Sequence, residues 1–236
     1  MPLSPARAAR LVTWVLKPVL WIAALAPAAL LALRAWRRDL GVDPVETLTL
    51  VSGETALILL LCSLAVTPLR RVTGIQHLVR LRRPLGLFAF FYACCHFAVY
   101  AVLDQGLALD YVWEDIAERP YITVGTLALV LMIPLAVTST RGWIRRLGRR
   151  WSLLHRLVYA SAALAVLHFT WAMKADIREP LIYAAILAGL LLARVFFWQR
   201  KRGAAPRGAP GATPKGRAGL RGAAAGRRIA PSTQDG

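Results

Sequence analysis

Long apolar stretches alternate with short polar ones from residue 11 to residue 198. An α-helix needs about 20 consecutive apolar residues to cross the hydrocarbon core of a bilayer. Six stretches come close to that length, at residues 11–33, 45–66, 84–103, 121–137, 151–171 and 181–198. The pattern therefore predicts an all-α integral membrane protein built as a bundle of six helices.

The first apolar stretch also resembles a secretory signal, because Arg7, Arg10 and Lys17 lie at the start of an alanine-rich run. A run of about 20 apolar residues fits a retained signal-anchor helix better than a cleaved signal peptide. We therefore divide the chain into a cytoplasmic N-terminus (1–10), a membrane domain (11–198) and a tail (199–236).

The charges of the loops predict the orientation in the membrane, because cytoplasmic loops are enriched in Lys and Arg. The second and fourth loops are rich in arginine, the third is acidic, and the fifth is mixed. Only the first loop departs from this alternation, because it also contains arginines: Arg34, Arg37 and Arg38. The arginines are Arg70, Arg71, Arg80, Arg82 and Arg83 in the second loop, and Arg141, Arg145, Arg146, Arg149 and Arg150 in the fourth. The pattern places both termini in the cytoplasm and the third loop in the periplasm.

The tail differs in composition from the rest of the chain. Beyond about residue 199 it consists mainly of Gly, Ala, Pro and Arg, without apolar periodicity. We expect it to be disordered and to stay near the membrane surface through its positive charge. It has no fingerprint of a nucleotide-binding domain, so electrons from a nicotinamide cofactor would have to arrive through another polypeptide.

The overall composition agrees with a membrane protein, being 57% hydrophobic with a mean hydropathy of +0.51. A net charge of +18 would suggest a nucleic-acid partner for a soluble chain. Here the charges lie in loops and tail, which favours anionic lipid headgroups and excludes nucleic acid. Cys62, Cys94 and Cys95 lie within apolar stretches and lack CxxC spacing, so we interpret them as small buried hydrophobic residues.

Three histidines, His96, His155 and His168, lie inside the apolar stretches. An ionisable side chain in hydrocarbon is costly, so each is a candidate for a functional role. Neutral imidazole is also a common axial ligand of haem iron. The alternative is that each histidine only forms a hydrogen bond between helices.

Depth in the membrane favours His96 and His168 as the axial pair. If the third and fifth helices enter from the cytoplasm, His96 lies about 18 Å deep, His168 about 25 Å and His155 about 6 Å. The His96–His168 pair would thus lie in the periplasmic half of the membrane, and one haem is expected there.

His155 is the candidate for a second, cytoplasm-facing centre, or for holding the cofactor that feeds the first. The 13 residues between His155 and His168 correspond to about 140° of rotation on a regular helix, and the sequence shows no bend that would reduce it. A second haem also lacks an evident partner histidine, since the remaining one, His77, lies in an arginine-rich loop. The count is therefore one haem, or two if His155 finds a partner.

Other polar residues leave alternatives open. Glu54 lies inside the second apolar stretch and is either a proton relay or cofactor contact, or a partner of an arginine or water near the interface. Pro134 predicts an end or kink of the fourth helix. Arg82, Arg83, Arg149 and Arg150 are topology determinants, or hold an anionic group such as a flavin phosphate or a haem propionate. Motifs typical of hydrolases and NTPases are absent from the sequence.

Four stretches together resemble a known family. They are RRPLGLFAFFYACCHFAVY (82–100), RPYITVG (119–125), LAVTSTRGWIRRLGRRWSLLHRLVY (135–159) and LAVLHFTWAMKADIREPLIYAAIL (164–187). They are similar to the haem-binding membrane subunit of the bacterial protein-methionine-sulfoxide reductase system, within the ferric-reductase-like transmembrane group. The resemblance covers roughly residues 10–198 and leaves out the tail.

The resemblance implies a multi-pass protein of the bacterial inner membrane that binds b-type haem and FMN. It would pass electrons from the quinone pool, or from a cytoplasmic flavin reductase, to a periplasmic molybdenum-cofactor enzyme that repairs methionine sulfoxide in proteins. The family's haem histidines correspond to His96 in YACCHFAVY, His155 in LLHRLVY and His168 in AVLHFTW. The third helix lacks the second histidine of the related eukaryotic oxidases, and no motif residue is matched to FMN.

We therefore expect an electron-transfer subunit of an oxidoreductase complex, not its catalytic subunit. One alternative is a stand-alone ferric or small-acceptor reductase, which would turn over without a partner protein. Another is a non-redox membrane scaffold, which would be colourless. The acidic third loop, from Asp110 to Glu118, is a candidate docking surface for a periplasmic partner.

Overall fold

The computed structural model describes residues 4–173 and 176–203. Within these ranges the chain forms helices and connecting turns, with no strand. Six helical segments are long and apolar enough to cross a membrane, and we call them the first to sixth spans: Ala6–Trp36, Pro44–Thr73, Gln76–Asp104, Pro120–Val137, Arg149–Ala172 and Arg178–Arg200. The prediction of a six-helix membrane bundle is confirmed.

The first and third spans contain irregular turns as well as α-helix, whereas the second does not. The first joins α1 (Pro5–Leu11) to α2 (Lys17–Trp36) through a π-helical turn, Val12–Leu16. The second is one helix, α3 (Pro44–Thr73). The third consists of a 3₁₀ turn (Gln76–Leu78), α4 (Val79–Val99) and a π-helical turn (Tyr100–Asp104).

The remaining helices alternate between loops and spans. The loop after the third span contains α5 (Leu109–Glu118), and α6 (Pro120–Val137) forms the fourth span. The next loop contains α7 (Arg141–Leu147). The fifth span is divided into α8 (Arg149–Leu154) and α9 (Leu157–Ala172), and the sixth is α10 (Arg178–Gly203). The predicted tail lies outside the described residues from residue 204 onward.

Local signals explain where several spans begin. The carboxylate of Asp43 accepts a hydrogen bond from the backbone N–H of Glu46 at 2.9 Å, and Pro44 occupies the first turn of α3. Proline is favoured there because the first helical N–H groups have no partner within the helix. Pro120 begins α6 in the same way. Pro134, in contrast, does not end α6, which continues for three more residues.

Two helix pairs form the centre of the molecule. The second span packs along the third, and the fourth packs along the fifth. The first span covers the second and third, while the sixth covers the second and fifth. The shared core is made of residues from five of the spans: Leu57, Leu60, Leu61, Leu64, Ala89, Met132, Leu135, Val158, Ala162, Val166 and Leu187.

Small and polar residues hold the pairs close together. The hydroxyl of Ser161 is fully buried and donates to the carbonyl of Ala128 at 2.9 Å, where Ala162 is also fully buried. The hydroxyl of Ser63 donates to the carbonyl of Arg82 at 3.2 Å. Small residues at helix contacts and hydrogen bonds between helices are typical of membrane proteins, because lipid provides no hydrophobic force to press helices together.

The outer surface of the bundle is apolar, as expected for a protein surrounded by lipid. Ile22, Leu192 and Phe196 are among the large side chains that lie at least half exposed there. The prediction that the three cysteines are buried is wrong for Cys62, which is exposed, while Cys94 and Cys95 are half-buried. In a membrane span, an apolar position can face lipid as well as the protein core. All three cysteines are free thiols.

Candidate functional site

The rings of His96 and His168 lie next to each other in the middle of the bundle. His96 is on α4 and His168 on α9, with ring centroids 6.0 Å apart and ring planes at 78°. Their positions along the apolar stretches predicted that these two histidines would be the closer pair. The structure brings them together, and it places His155 in a different environment.

A backbone carbonyl holds each of the two rings. The Nδ1 of His96 lies 2.9 Å from the carbonyl oxygen of Thr49, and the Nδ1 of His168 lies 2.6 Å from that of Tyr121. A carbonyl oxygen only accepts hydrogen bonds, so each Nδ1 is the protonated nitrogen and donates. This leaves the Nε2 of each ring with its lone pair, in the tautomer that binds a metal ion.

A glycine makes room for each ring one helical turn after that carbonyl. A Cβ atom built on Gly53 would lie 2.9 Å from the Nδ1 of His96, and one on Gly125 would lie 2.6 Å from the Nδ1 of His168. Such distances are too short for real contacts, so only glycine lets the two rings pack against α3 and α6. These glycines were not identified as site residues from the sequence.

The two halves of the site repeat each other at an offset of 72 residues. Thr49, Gly53 and His96 correspond to Tyr121, Gly125 and His168. In both halves the accepting carbonyl precedes its histidine by 47 residues. The repeat is visible in the sequence as GETALIL (53–59) and GTLALVL (125–131), and this signal would have identified both glycines.

The two histidines line a cavity of about 330 Å³ between the central helix pairs. Its walls are mostly apolar and include Leu57, Ala93, Leu129 and Ala165. An apolar wall with a few polar groups is typical of a cofactor site.

The distance between the rings fits two axial ligands on one metal ion. Imidazole nitrogens bind metal ions at about 2 Å, and a ring radius of about 1.2 Å then gives centroids about 6.4 Å apart. The observed separation is 6.0 Å. Among the described residues, no group of three or more His, Cys, Asp and Glu side chains is placed to hold a bare ion. Two neighbouring imidazoles in an apolar cavity suit a metal whose other ligands come from a macrocycle, as in haem.

Glu54 also lines this cavity, and it is bonded to the sixth span. The hydroxyl of Tyr183 donates to the carboxylate of Glu54 at 2.7 Å. The phenol of Tyr183 is a hydrogen-bond partner that the sequence did not predict for this carboxyl group. Glu54 therefore joins the wall of the cavity to α10.

His155 lies at an interruption of the fifth span. Residues 155 and 156 form a turn between α8 and α9, whereas we expected one continuous helix. The break removes the basis of the 140° estimate, since that estimate assumes regular helical rotation. The ring of His155 stacks on Trp151 with centroids 4.0 Å apart, and its Nδ1 lies 3.2 Å from the carbonyl oxygen of Trp151.

The surroundings of His155 contain unsatisfied polar atoms and arginines. The Nε2 of His155 and the hydroxyl of Tyr159 are buried without a hydrogen-bond partner in the described part of the chain. The guanidinium carbon of Arg194 lies 4.7 Å from the centroid of the Tyr159 ring. Arg82 is within electrostatic range of both His155 and Arg194. Of the other arginines named from the sequence, Arg83, Arg149 and Arg150 are exposed.

Comparison with known proteins shows what the chain is similar to. Residues 52–166 match the family described as ferric reductase like transmembrane component. A relative from Herminiimonas arsenicoxydans, the protein-methionine-sulfoxide reductase heme-binding subunit MsrQ, is 49% identical over 79% of this chain and 87% of its own length. Proteins of the same name from Bordetella parapertussis and Xanthomonas axonopodis pv. citri are 50% and 51% identical, over 80% and 76% of this chain and 93% and 85% of their own lengths.

Proposed function

The chain belongs to the family of haem-binding subunits of protein-methionine-sulfoxide reductase, and on that premise we propose that His96 and His168 hold a b-type haem that carries electrons to the catalytic subunit of this repair system. The resemblance read from the sequence motifs is confirmed, as is the multi-pass membrane location. The observation that supports the proposal is the adjacent pair of imidazoles, with centroids 6.0 Å apart and each Nδ1 hydrogen-bonded to a backbone carbonyl.

The residues around His96 and His168 fit a haem group. The Nε2 atoms of His96 and His168 would hold the iron, and the apolar walls of the cavity would contact the porphyrin. Arg119, which also lines the cavity and pairs with Asp115, would bind the carboxylate of one propionate. When bound, haem supplies one-electron chemistry between its ferric and ferrous states.

The protein's own residues set the conditions for that chemistry. The carbonyls of Thr49 and Tyr121 fix the tautomer and the orientation of the rings, and by hydrogen bonding they make the Nε2 atoms better donors to iron. The cavity walls keep bulk water away and so influence the reduction potential. The hydroxyl of Tyr183 holds the side chain of Glu54 in place at the wall of the cavity.

The direction of electron flow follows from the proposed orientation. With the arginine-rich second and fourth loops in the cytoplasm, the His96–His168 pair lies nearer the periplasmic ends of its helices. Electrons would enter from the quinone pool or from a cytoplasmic flavin reductase. They would leave to a periplasmic catalytic subunit that contains a molybdenum cofactor. That direction, that donor and that partner are supported by the loop charges and by the family resemblance.

A second cofactor would find its residues around His155. The unsatisfied Nε2 of His155 and hydroxyl of Tyr159, together with Arg82 and Arg194, fit a group that carries negative charge. FMN, which the resemblance implies, carries a phosphate that arginines bind well. A second haem would use His155 as one axial ligand, with its propionates near the arginines.

The test is an optical spectrum of the detergent-purified protein, oxidised and then reduced with dithionite, with haem and flavin quantified per chain. We expect a sharp reduced band of low-spin b-type haem that is lost or converted to high-spin in both His96→Ala and His168→Ala. His77→Ala is the matched control and should keep the spectrum. A normal low-spin spectrum in both ligand variants would overturn the assignment, and a protein that stays colourless after haem reconstitution would overturn the function.

A further inference from the structure

An open depression lies next to the site and extends beyond the cavity proposed for haem. It has a volume of about 570 Å³ and is lined by Glu118, Arg119, Pro120, Tyr121 and Trp171. These residues lie where α6 begins and where the fifth span ends. Trp171 is 46% exposed, so a large aromatic side chain is available at this surface for contact.

The depression lies directly next to the His96–His168 cavity. Arg119 and Tyr121 line both of them. The ring of Tyr121 stacks on the ring of His168 with centroids 6.1 Å apart and planes at 26°, and its carbonyl holds the Nδ1 of the same histidine. A single residue therefore separates a molecule seated in the depression from a proposed axial ligand.

The charge around the depression differs from that of the rest of the chain. The net charge of the chain is +18, yet five of its twelve carboxylates lie between residues 104 and 118. Arg119 is paired with Asp115 at 3.1 Å, which leaves Asp110, Glu114 and Glu118 as exposed carboxylates on α5. The acidic helix α5 thus ends at the depression, where Glu118 lines it beside the aromatic rings of Tyr121 and Trp171.

We propose that this depression is the docking site of a water-soluble redox protein whose contact surface is apolar at its centre and basic at its rim. The proposal rests on the proposed function in naming that protein as the catalytic subunit of the same repair system. Aromatic residues at the centre of an interface contribute much of its binding energy, while rim charges mainly steer association. The depression has both aromatic and charged residues, and it lies next to the His96–His168 cavity from which an electron would leave.

The first experiment measures docking without haem chemistry. A photo-crosslinking amino acid replaces Trp171 in the full chain in membranes, and purified catalytic subunit from the same bacterium is added and illuminated. We expect a crosslinked heterodimer that high salt diminishes, because the rim contacts are electrostatic. The same probe at Asp39, in the loop after the first span, is the control and should give none. A crosslink only to lipid, only to a second copy of this chain, or equally from both positions would overturn the proposal.

The second experiment measures the electron step. The reduced protein in nanodiscs is mixed with oxidised catalytic subunit, and reoxidation is followed by stopped flow. We expect Trp171→Ala and Glu118→Lys each to lower the second-order rate constant by about tenfold, with haem content, spectrum and reduction potential unchanged. Asp39→Lys makes the same charge change elsewhere and should keep the wild-type rate.

The two experiments separate a failure of the docking site from a failure of the proposed function. Wild-type rates in both depression variants would place docking elsewhere and leave the haem assignment standing. A protein without haem would remove the proposed function, and the crosslinking result would still decide whether a soluble partner binds at Trp171.

Discussion

A single methyl group added at Gly125 would collide with the ring of His168. The Cβ atom would lie 2.6 Å from Nδ1 and 2.8 Å from Cε1, while the hydrogen bond to Tyr121 prevents the ring from moving away easily. We expect Gly125→Ala to lower the haem content of the purified protein to less than about half, since overpacking of this kind costs about 1–3 kcal/mol. The measurement is haem per chain.

A graded series makes this prediction sharper. Gly53→Ala should lose less haem, because its Cβ would lie 2.9 Å from the Nδ1 of His96. Gly189→Ala should lose none, because no atom lies within 4 Å of its Cβ. Equal haem content in all three variants would show that the glycines do not make room for the rings.

The angle between the two imidazole planes leads to a second prediction at this scale. The planes are 78° apart, and each is fixed by a carbonyl of its own neighbouring helix. Nearly perpendicular axial imidazoles give ferric low-spin haem a single, strongly anisotropic low-field EPR feature, whereas parallel planes give three resolved rhombic lines. We expect the former in the oxidised protein at low temperature. A well-resolved rhombic spectrum would contradict the ring orientations.

The residue types of the site were predictable from the sequence, but their supports were not. A histidine in a membrane span is recognisable as a candidate site residue because burying an ionisable side chain in hydrocarbon is costly. The carbonyls of Thr49 and Tyr121 could not be identified from the sequence, because every residue has a backbone carbonyl. Gly53 and Gly125 look like ordinary membrane-helix glycines until the 72-residue repeat is aligned.

At the scale of helices, Tyr92 connects the third span to the first. Its hydroxyl donates to the carbonyl of Ala24 at 2.7 Å and accepts from the N–H of Ala28 at 3.0 Å, next to Pro27 within α2. The tyrosine thus inserts into the hydrogen-bond ladder of the first span, a known cause of helix distortion. This contact adds to the apolar contacts of the first span, such as the one between the rings of Trp21 and Phe88.

Removing that hydroxyl should loosen the first span. We expect Tyr92→Phe to destabilise the protein by about 0.5–1.5 kcal/mol, the usual range for such a hydrogen bond, and so to lower its thermal unfolding midpoint in detergent. Tyr111→Phe removes an exposed hydroxyl from α5 and should leave the midpoint unchanged. A midpoint for Tyr92→Phe equal to that of the control would show that the inserted hydroxyl contributes nothing.

The break in the fifth span marks the limit of helix prediction from hydropathy. Apolar length predicted the existence of all six spans, because the bilayer demands about 20 residues of any helix that crosses it. It did not predict the turn at residues 155 and 156, since LLHRLVY contains no Gly or Pro. The turn arises in the folded context, where the indole of Trp151 donates to the carbonyl of Thr138 at 3.0 Å and fixes α8 against the end of α6.

At the scale of the molecule, the repeat explains why two histidines from different helices meet at one level. The second and fourth spans supply the carbonyl and the glycine, while the third and fifth supply the histidine. Because one span lies between each of these spans and its counterpart, corresponding helices run in the same direction through the membrane. Equivalent positions then lie at equal depth, and this relation holds for either orientation of the protein.

The orientation itself is the last prediction, and cysteine labelling in intact cells decides it. The three native cysteines, which lie in spans, are first replaced by alanine. A single cysteine is then placed either at Ala117 in the third loop or at Val72 at the end of the second span. Both positions are exposed. Since arginine-rich loops stay in the cytoplasm, a membrane-impermeant maleimide should label Ala117→Cys and should reach Val72→Cys only after the cells are broken. The reverse pattern would place the depression at Trp171 in the cytoplasm, and a periplasmic partner could then not reach it.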